Sequence, residues 1–250
     1  MGKRGQVTIF IIIAIIIIVI GILIYAFYPQ IQSIINPTSK NPSAFLQSCL
    51  EDEIEETIEI LSLQGGSMAP EGYYLYEGNK LKYLCYTNQD YQLCGLQISF
   101  LENHIESEIK NAILDKVNSC LEELKETFEE ERYSVNIEEG DIVVELLPER
   151  VITTLTHKLT LTKGDTARYD GFKIILESDL YRLLGITESI LEWESNYGEA
   201  EPLLYMGVYH DLDIEKLKQT DDTKVYILTN INTKDKFQFA SRSLPFPPGY

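Results

Sequence analysis

The 250-residue chain carries 39 aspartates and glutamates against 21 lysines and arginines, a formal charge of −18 at pH 7. A surface of that sign repels polyanions, so a nucleic-acid-binding role is excluded. The length suffices for one large or two small domains with a real core, and the 16 tyrosines point to a strand-rich protein whose rings pack while their hydroxyls stay wet.

The first predicted element is apolar. From Val7 to Tyr28 there is no charge, and Thr8 is the only clearly polar side chain. At about 1.5 Å per residue this run reaches roughly 30 Å, the thickness of a bilayer core, so residues 7–28 read as a transmembrane helix in contact with lipid. Lys3 and Arg4 precede it, and positive charge stays on the cytoplasmic side. The N-terminus is therefore expected inside, and the bulk of the chain outside, of a single-pass protein. A cleaved secretory signal fits less well, because its apolar region is about 7–15 residues long and ends in a small-residue site that "YAFYPQIQ" lacks.

The junction "KRGQ" at residues 3–6, set against an Ile-rich helix, resembles the class III signal of archaeal type IV pilins and archaellins. The resemblance covers about the first 25 residues. It implies that a prepilin peptidase cuts between Gly5 and Gln6, removing Lys3 and Arg4 and freeing the helix for a filament core. Many pilins carry Glu at the fifth position after the cut, where this chain has Phe10. More loosely, "RGQVTIF", the Ile-rich run and a Cys-led helix ending "LQGG" resemble uncharacterised membrane-anchored surface proteins of archaea.

Residues 29–43, "PQIQSIINPTSKNPS", read as a linker, with Ser43 placed to cap the next helix. From Phe45 to Leu63 the apolar positions Leu46, Leu50, Ile54, Ile58 and Leu61 recur at helical steps, and Gly65-Gly66 ends the run. "YYLYEGNKLKYLCY" reads as a hairpin. The longest helix is expected from Leu101 to Glu130, with Ile105, Ile109, Ile113, Val117, Cys120, Leu124 and Phe128 in one stripe. The run Glu129, Glu130, Glu131 reads as its solvated end.

Four cysteines fit an oxidising, extracytoplasmic space and allow three pairings. Cys49 and Cys120 both lie in apolar stripes at "SCLE", which favours one bridge between the two helices. Cys85 and Cys94 flank a short loop that a second bridge would close. A metal site is disfavoured, since there is no CxxC and no histidine at ligand spacing.

Beyond Arg132 strands dominate. "YSVNIEEGDIVVELL" reads as a hairpin turning at Glu139-Gly140, and "VITTLTHKLTLTKGD" as one long strand ending at Lys163-Gly164-Asp165. A helix is expected from about Ser178 to Trp193. "LLYMGVYHD", "TKVYILTNI" and "DKFQFASR" read as strands around a short helix near Ile214, and "LPFPPGY" as an extended tail. The expected organisation is thus an N-terminal segment (1–28), a linker (29–43), a helical Cys-containing lobe (44–131), a strand-rich lobe (132–243) and a tail (244–250). The expected fold class is α+β: a single N-terminal transmembrane helix, then an extracytoplasmic domain of amphipathic helices packed on antiparallel sheet.

Chemistry is sparse. Of His104, His157 and His210, only His210 sits beside acids, in "HDLD", and there Asp211 or Asp213 reads better as a helix cap than as a metal ligand or acid–base group. G-x-S-x-G, G-x-G-x-x-G and P-loop patterns are absent. Trp193, the lone tryptophan, reads as core or edge rather than as a sugar platform. No catalytic residue, metal or cofactor is assigned. The expected function is that of a non-enzymatic surface protein, membrane-anchored or a pilin-like filament subunit, acting by display and contact with sister subunits or other surface proteins. A membrane-anchored extracytoplasmic hydrolase and a solute-binding receptor ectodomain are the alternatives.

Overall fold

The computed structural model describes residues 41–245. By its contacts the chain divides into Met1–Phe45 and Leu46–Tyr250; of the first unit only residues 41–45, at the start of a helix, are described. That helix, α1 (Pro42–Leu63), is capped by Asn41 rather than Ser43: the Ser43 N–H donates to Asn41 Oδ1 at 3.0 Å, with Pro42 inside the first turn. Gly65 and Gly66, at φ +69° and +83°, end it in the left-handed region.

After α1 come β1 (Tyr73–Tyr76), β2 (Asn79–Tyr86), β3 (Gly95–Leu96) and α2 (Leu101–Glu130). Six strands follow: β4 (Ser134–Glu138), β5 (Ile142–Leu147), β6 (Arg150–Leu155), β7 (Lys158–Lys163), β8 (Asp165–Tyr169) and β9 (Phe172–Glu177). Then come α3 (Leu180–Tyr197), α4 (Pro202–Val208), β10 (Leu212–Lys218), β11 (Lys224–Asn230) and β12 (Lys236–Arg242).

The largest sheet has the order β1-β2-β12-β11-β10, with β3 also on β2. All its pairings are antiparallel except β2 with β12, which run parallel through Ala240 opposite Tyr83 and Ser241 opposite Cys85. It therefore takes strands from both sides of residue 132, where the sequence suggested a border between lobes. One face buries Leu81, Val225, Ile227 and Ala240, with Tyr74, Tyr76, Tyr83 and Leu217 packed against them. Helix α3 packs on β12 and β2.

Two further sheets, β4-β7-β8 and β5-β6-β9, are the halves of one meander. The stretches 134–147, 150–163 and 165–177 are three long antiparallel strands, and all bend at the same level. At the bend, residues 139–141 face 156–157 between Glu138↔Lys158 and Ile142↔Leu155, so one strand carries an extra residue, as in a bulge. Gly140 lies directly on the Thr156–His157 peptide, where a Cβ would run into His157 N and Thr156 C. Thr156 stitches the bend: its N–H donates to Asp141 O at 2.9 Å, and its Oγ1 accepts from Asp141 N at 2.7 Å. Helix α2 covers this meander, packing on β5 and β4 through the buried stripe from Leu101 to Phe128.

The expected fold class needs correction on two counts. Among the described residues no helix is long and apolar enough to cross a membrane. Helix α2 has 30 residues, but carboxylates recur along its outer face, as hydrocarbon would not tolerate. The segment 7–28, where the transmembrane helix was expected, lies outside the described residues. Second, the sheets are mixed rather than purely antiparallel, because β2 joins β12 in parallel.

Local readings of the last third are also revised. "PLLYMGV" is the short helix α4, whereas the residues around Ile214 form β10, not a helix. Glu139-Gly140 is the bend of a continuous strand path, not a hairpin turn, since β4 pairs with β7 and β5 with β6.

Candidate interaction surface

The structure keeps the three histidines apart. His104 Nε2 lies 3.0 Å from Ser67 Oγ beside the α2 stripe. His157 is buried in the meander bend, its Nδ1 without a hydrogen-bond partner, and burial holds its pKa below the usual histidine value against the pull of Glu139 and Asp141. His210 is exposed, and its neighbour Asp211 caps no helix. Instead Asp211 accepts two hydrogen bonds from Arg182, at 3.0 and 2.8 Å. The same guanidinium grips Asp179, which in turn accepts from Asn230 Nδ2 at 2.9 Å. These bonds hold the Asp211 carboxyl below its usual range and raise the guanidinium's pKa further. The fork thereby ties α3 to the start of β10 and the end of β11. Among the described residues no group of three or more His, Cys, Asp or Glu is placed to hold a metal ion.

A denser polar cluster lies under α3. Glu194, fully buried, accepts from Lys224 Nζ at 2.9 and 2.7 Å, from Tyr226 Oη at 2.6 Å and from Ser241 Oγ at 3.0 Å. Lys224 is itself buried and also donates to Gly198 O. Burial, then the charge of Glu194, drives the Tyr226 phenol's pKa far up, so it stays protonated as a donor. The charge is internally balanced and closed off from water, which suits locking α3 to β11 and β12 better than meeting a substrate.

The four cysteines form two pairs at disulfide distance. Cys49 and Cys120 join α1 to α2 with S–S 2.03 Å and Cα–Cα 6.1 Å, and Cys85 joins Cys94 beside β2 and β3 with Cα–Cα 5.3 Å. Gly5 and Gln6 lie outside the described residues.

Some apolar and aromatic side chains also remain open to solvent. Trp193 near the end of α3 is 44% exposed and meets the Tyr197 ring at 4.9 Å between centroids. Across a shallow hollow of about 340 Å³, α4 presents Leu204 and Val208, 61% and 70% exposed, with Tyr209 beyond them. Pro202 starts α4, and the Glu201 side chain accepts from Leu203 N to cap it. The Tyr205 and Ser189 hydroxyls, 2.9 Å apart, pin α4 to α3. A seven-residue helix that turns Leu203, Leu204 and Val208 outward is not shaped by the protein's own core. Glu188 and Glu192 on α3 and Glu201 at the cap of α4 are exposed and give these elements negative charge. The sequence signal was the lone Trp193 followed by "LLYMGVY"; its periodicity was too short to tell helix from strand.

Comparison with protein-family models, with curated protein sequences and with solved structures returns no significant match to this chain.

Proposed function

We propose that this is an extracytoplasmic, disulfide-stapled surface protein that works by protein–protein contact rather than by catalysis. The observation that carries the reading is the α3–α4 surface: a tryptophan, tyrosines, leucines and a valine around a hollow, with exposed Glu188, Glu192 and Glu201 on the elements that form it. Aromatic anchors inside a polar rim are the composition of interface hot spots, and a monomer gains nothing by exposing them. The two cysteine pairs support an oxidising compartment. The groups best suited to chemistry are committed elsewhere: Glu194 and Lys224 to each other inside the protein, Arg182 to two aspartates.

The partner is a different protein with a basic border around an apolar patch. Two copies of a chain at −18 would bring like charge together at Glu188, Glu192 and Glu201. A photo-crosslinking residue at Leu204, in full-length protein on its native cell surface, should capture one discrete partner. Adding Trp193→Ala should reduce that product at least tenfold, and a probe at the exposed Asn118 on α2 should give none. Equal, diffuse products from both positions would sink the reading, and a product of twice the chain mass would replace the foreign partner with a second copy.

A further inference from the structure

The two edges of the β5-β6-β9 sheet are closed very differently. On β5 the outward N–H of Leu146 donates to the Glu106 carboxylate of α2 at 2.9 Å, a charged hydrogen bond of good length. On β9 the outward groups belong to alternate residues, because Ser178 N bonds inward to Glu149 O, which leaves Lys173, Ile175 and Glu177 facing out. Among the described residues the Ile175 backbone is met by the Gln47 carboxamide, its N–H donating to Oε1 at 3.4 Å and its C=O accepting from Nε2 at 3.5 Å. Bonds that long, from a flexible neutral side chain, are weak, and they imitate the N–H and C=O of a neighbouring strand.

Alongside this edge runs a groove of about 740 Å³ between α1 and β9 that ends at the turn of residues 233–236. Ile58, Leu176, Leu180 and Leu183 line its floor. Its walls carry Glu51, Glu55, Glu59, Glu177 and Asp235 against Lys234 and Lys236. The Lys234 Nζ is already spent on Ile231 O at 2.6 Å. A volume of this size, with an apolar floor, falls in the range of binding clefts, and its acidic walls select a cationic guest.

We infer that β9 accepts an extended, lysine- or arginine-bearing segment of another protein as a fourth strand, with Gln47 as the placeholder it displaces. Main-chain bonds to Ile175 and Glu177 supply the affinity, alternate apolar side chains enter the groove, and alternate cationic ones meet the wall carboxylates. This site is separate from the α3–α4 surface and does not depend on it.

The test uses full-length protein at 0.15 M salt and fluorescence anisotropy with a decapeptide of alternating valine and lysine. A valine–glutamate decapeptide and a valine–lysine version N-methylated at four amides, two on each edge, serve as comparisons. The lysine peptide should bind at least tenfold tighter than both. Glu55→Lys with Glu59→Lys should weaken it at least tenfold, whereas Glu122→Lys with Glu126→Lys, the same charge change on the exposed side of α2, should weaken it less than threefold. Gln47→Ala should tighten it about threefold by clearing the edge. Equal losses from the two charge variants, or equal binding of the N-methylated peptide, would reduce the effect to general attraction and overturn the proposal. Unchanged or weaker binding to Gln47→Ala would overturn the strand pairing.

Discussion

Lys224 Nζ lies 2.7 Å from Glu194 Oε2, with 3% and 0% of the two side chains exposed. Neither charge has water to fall back on, and Glu194 is tolerable only while Lys224 is present, whereas Lys224 also reaches Glu199 Oε2 at 3.4 Å. Lys224→Met should cost about 3–5 kcal/mol in urea unfolding, because it strands the Glu194 carboxylate. Adding Glu194→Gln to that variant should recover part of the loss, since the stranded charge is gone and the amide oxygen still accepts from one of the two hydroxyls, Tyr226 or Ser241, while its NH2 donates to the other. A double variant no more stable than Lys224→Met alone would show that the buried charge is not the cause.

The two disulfides close loops of unequal length, with sequence separations of 71 and 9. In the chain-entropy account the longer loop contributes about 4 kcal/mol and the shorter about 3. Cys49→Ala with Cys120→Ala should therefore lower the urea midpoint further than Cys85→Ala with Cys94→Ala. The reverse order would indicate that native-state packing around Cys85 outweighs loop entropy.

Gly140 is held against the backbone of Thr156 and His157, not against a side chain that can move. Gly140→Ala should lower stability by about 3 kcal/mol or more, read by thermal or urea unfolding, with Gly164→Ala as the comparison. At Gly164 a Cβ meets nothing, although φ is +83°, so only the conformational cost of about 1 kcal/mol applies. Similar losses at the two sites would mean that the bend is not set by the missing Cβ.

His157 is buried with its pKa pushed below the ordinary 6.5. The unfolded chain then binds a proton more readily than the folded one. Its stabilising effect is therefore complete above about pH 6.5 and is lost as pH falls through the lower folded value. His157→Phe should flatten the stability profile just below pH 6.5 while leaving the acid limb near pH 4. There Asp141 and Asp211, both held low by their cationic partners, still lose stability on protonation. An unchanged profile between pH 6.5 and 5 would count against the histidine.

The helices were the most legible part of the fold. Leu101–Glu130 is marked by one apolar stripe at strict helical spacing, and that stripe is the face buried on the meander. Cys120 sits within it, which is why its approach to Cys49 could be argued from sequence. The strands of residues 134–177 were visible as strands but not as a bent meander. Gly140 reads locally like any turn glycine, and only the approach of the Thr156–His157 peptide from a later strand decides that the chain passes straight on. α4 and β10 were exchanged because each is seven residues long, too short for periodicity to separate 3.6 from 2. The candidate surface was legible only as composition. That Trp193 faces solvent beside Leu204 depends on the Ser189–Tyr205 contact, which joins two helices across a loop. The groove at β9 left no sequence signal at all, since an edge strand is defined by what fails to pair with it.

The parallel seam between β2 and β12 also fixes an order of events. Tyr83 and its neighbours are made early, yet their partner Ala240 lies near the far end of the chain. The sheet cannot be completed until residues 236–242 have left the ribosome. Until then β2 has only β1 and β3, and its other side is an unsatisfied edge. A chain cut short before Lys236 would keep α1, α2 and their bridge but retain that open side permanently, and so would be the form most prone to join with its own kind.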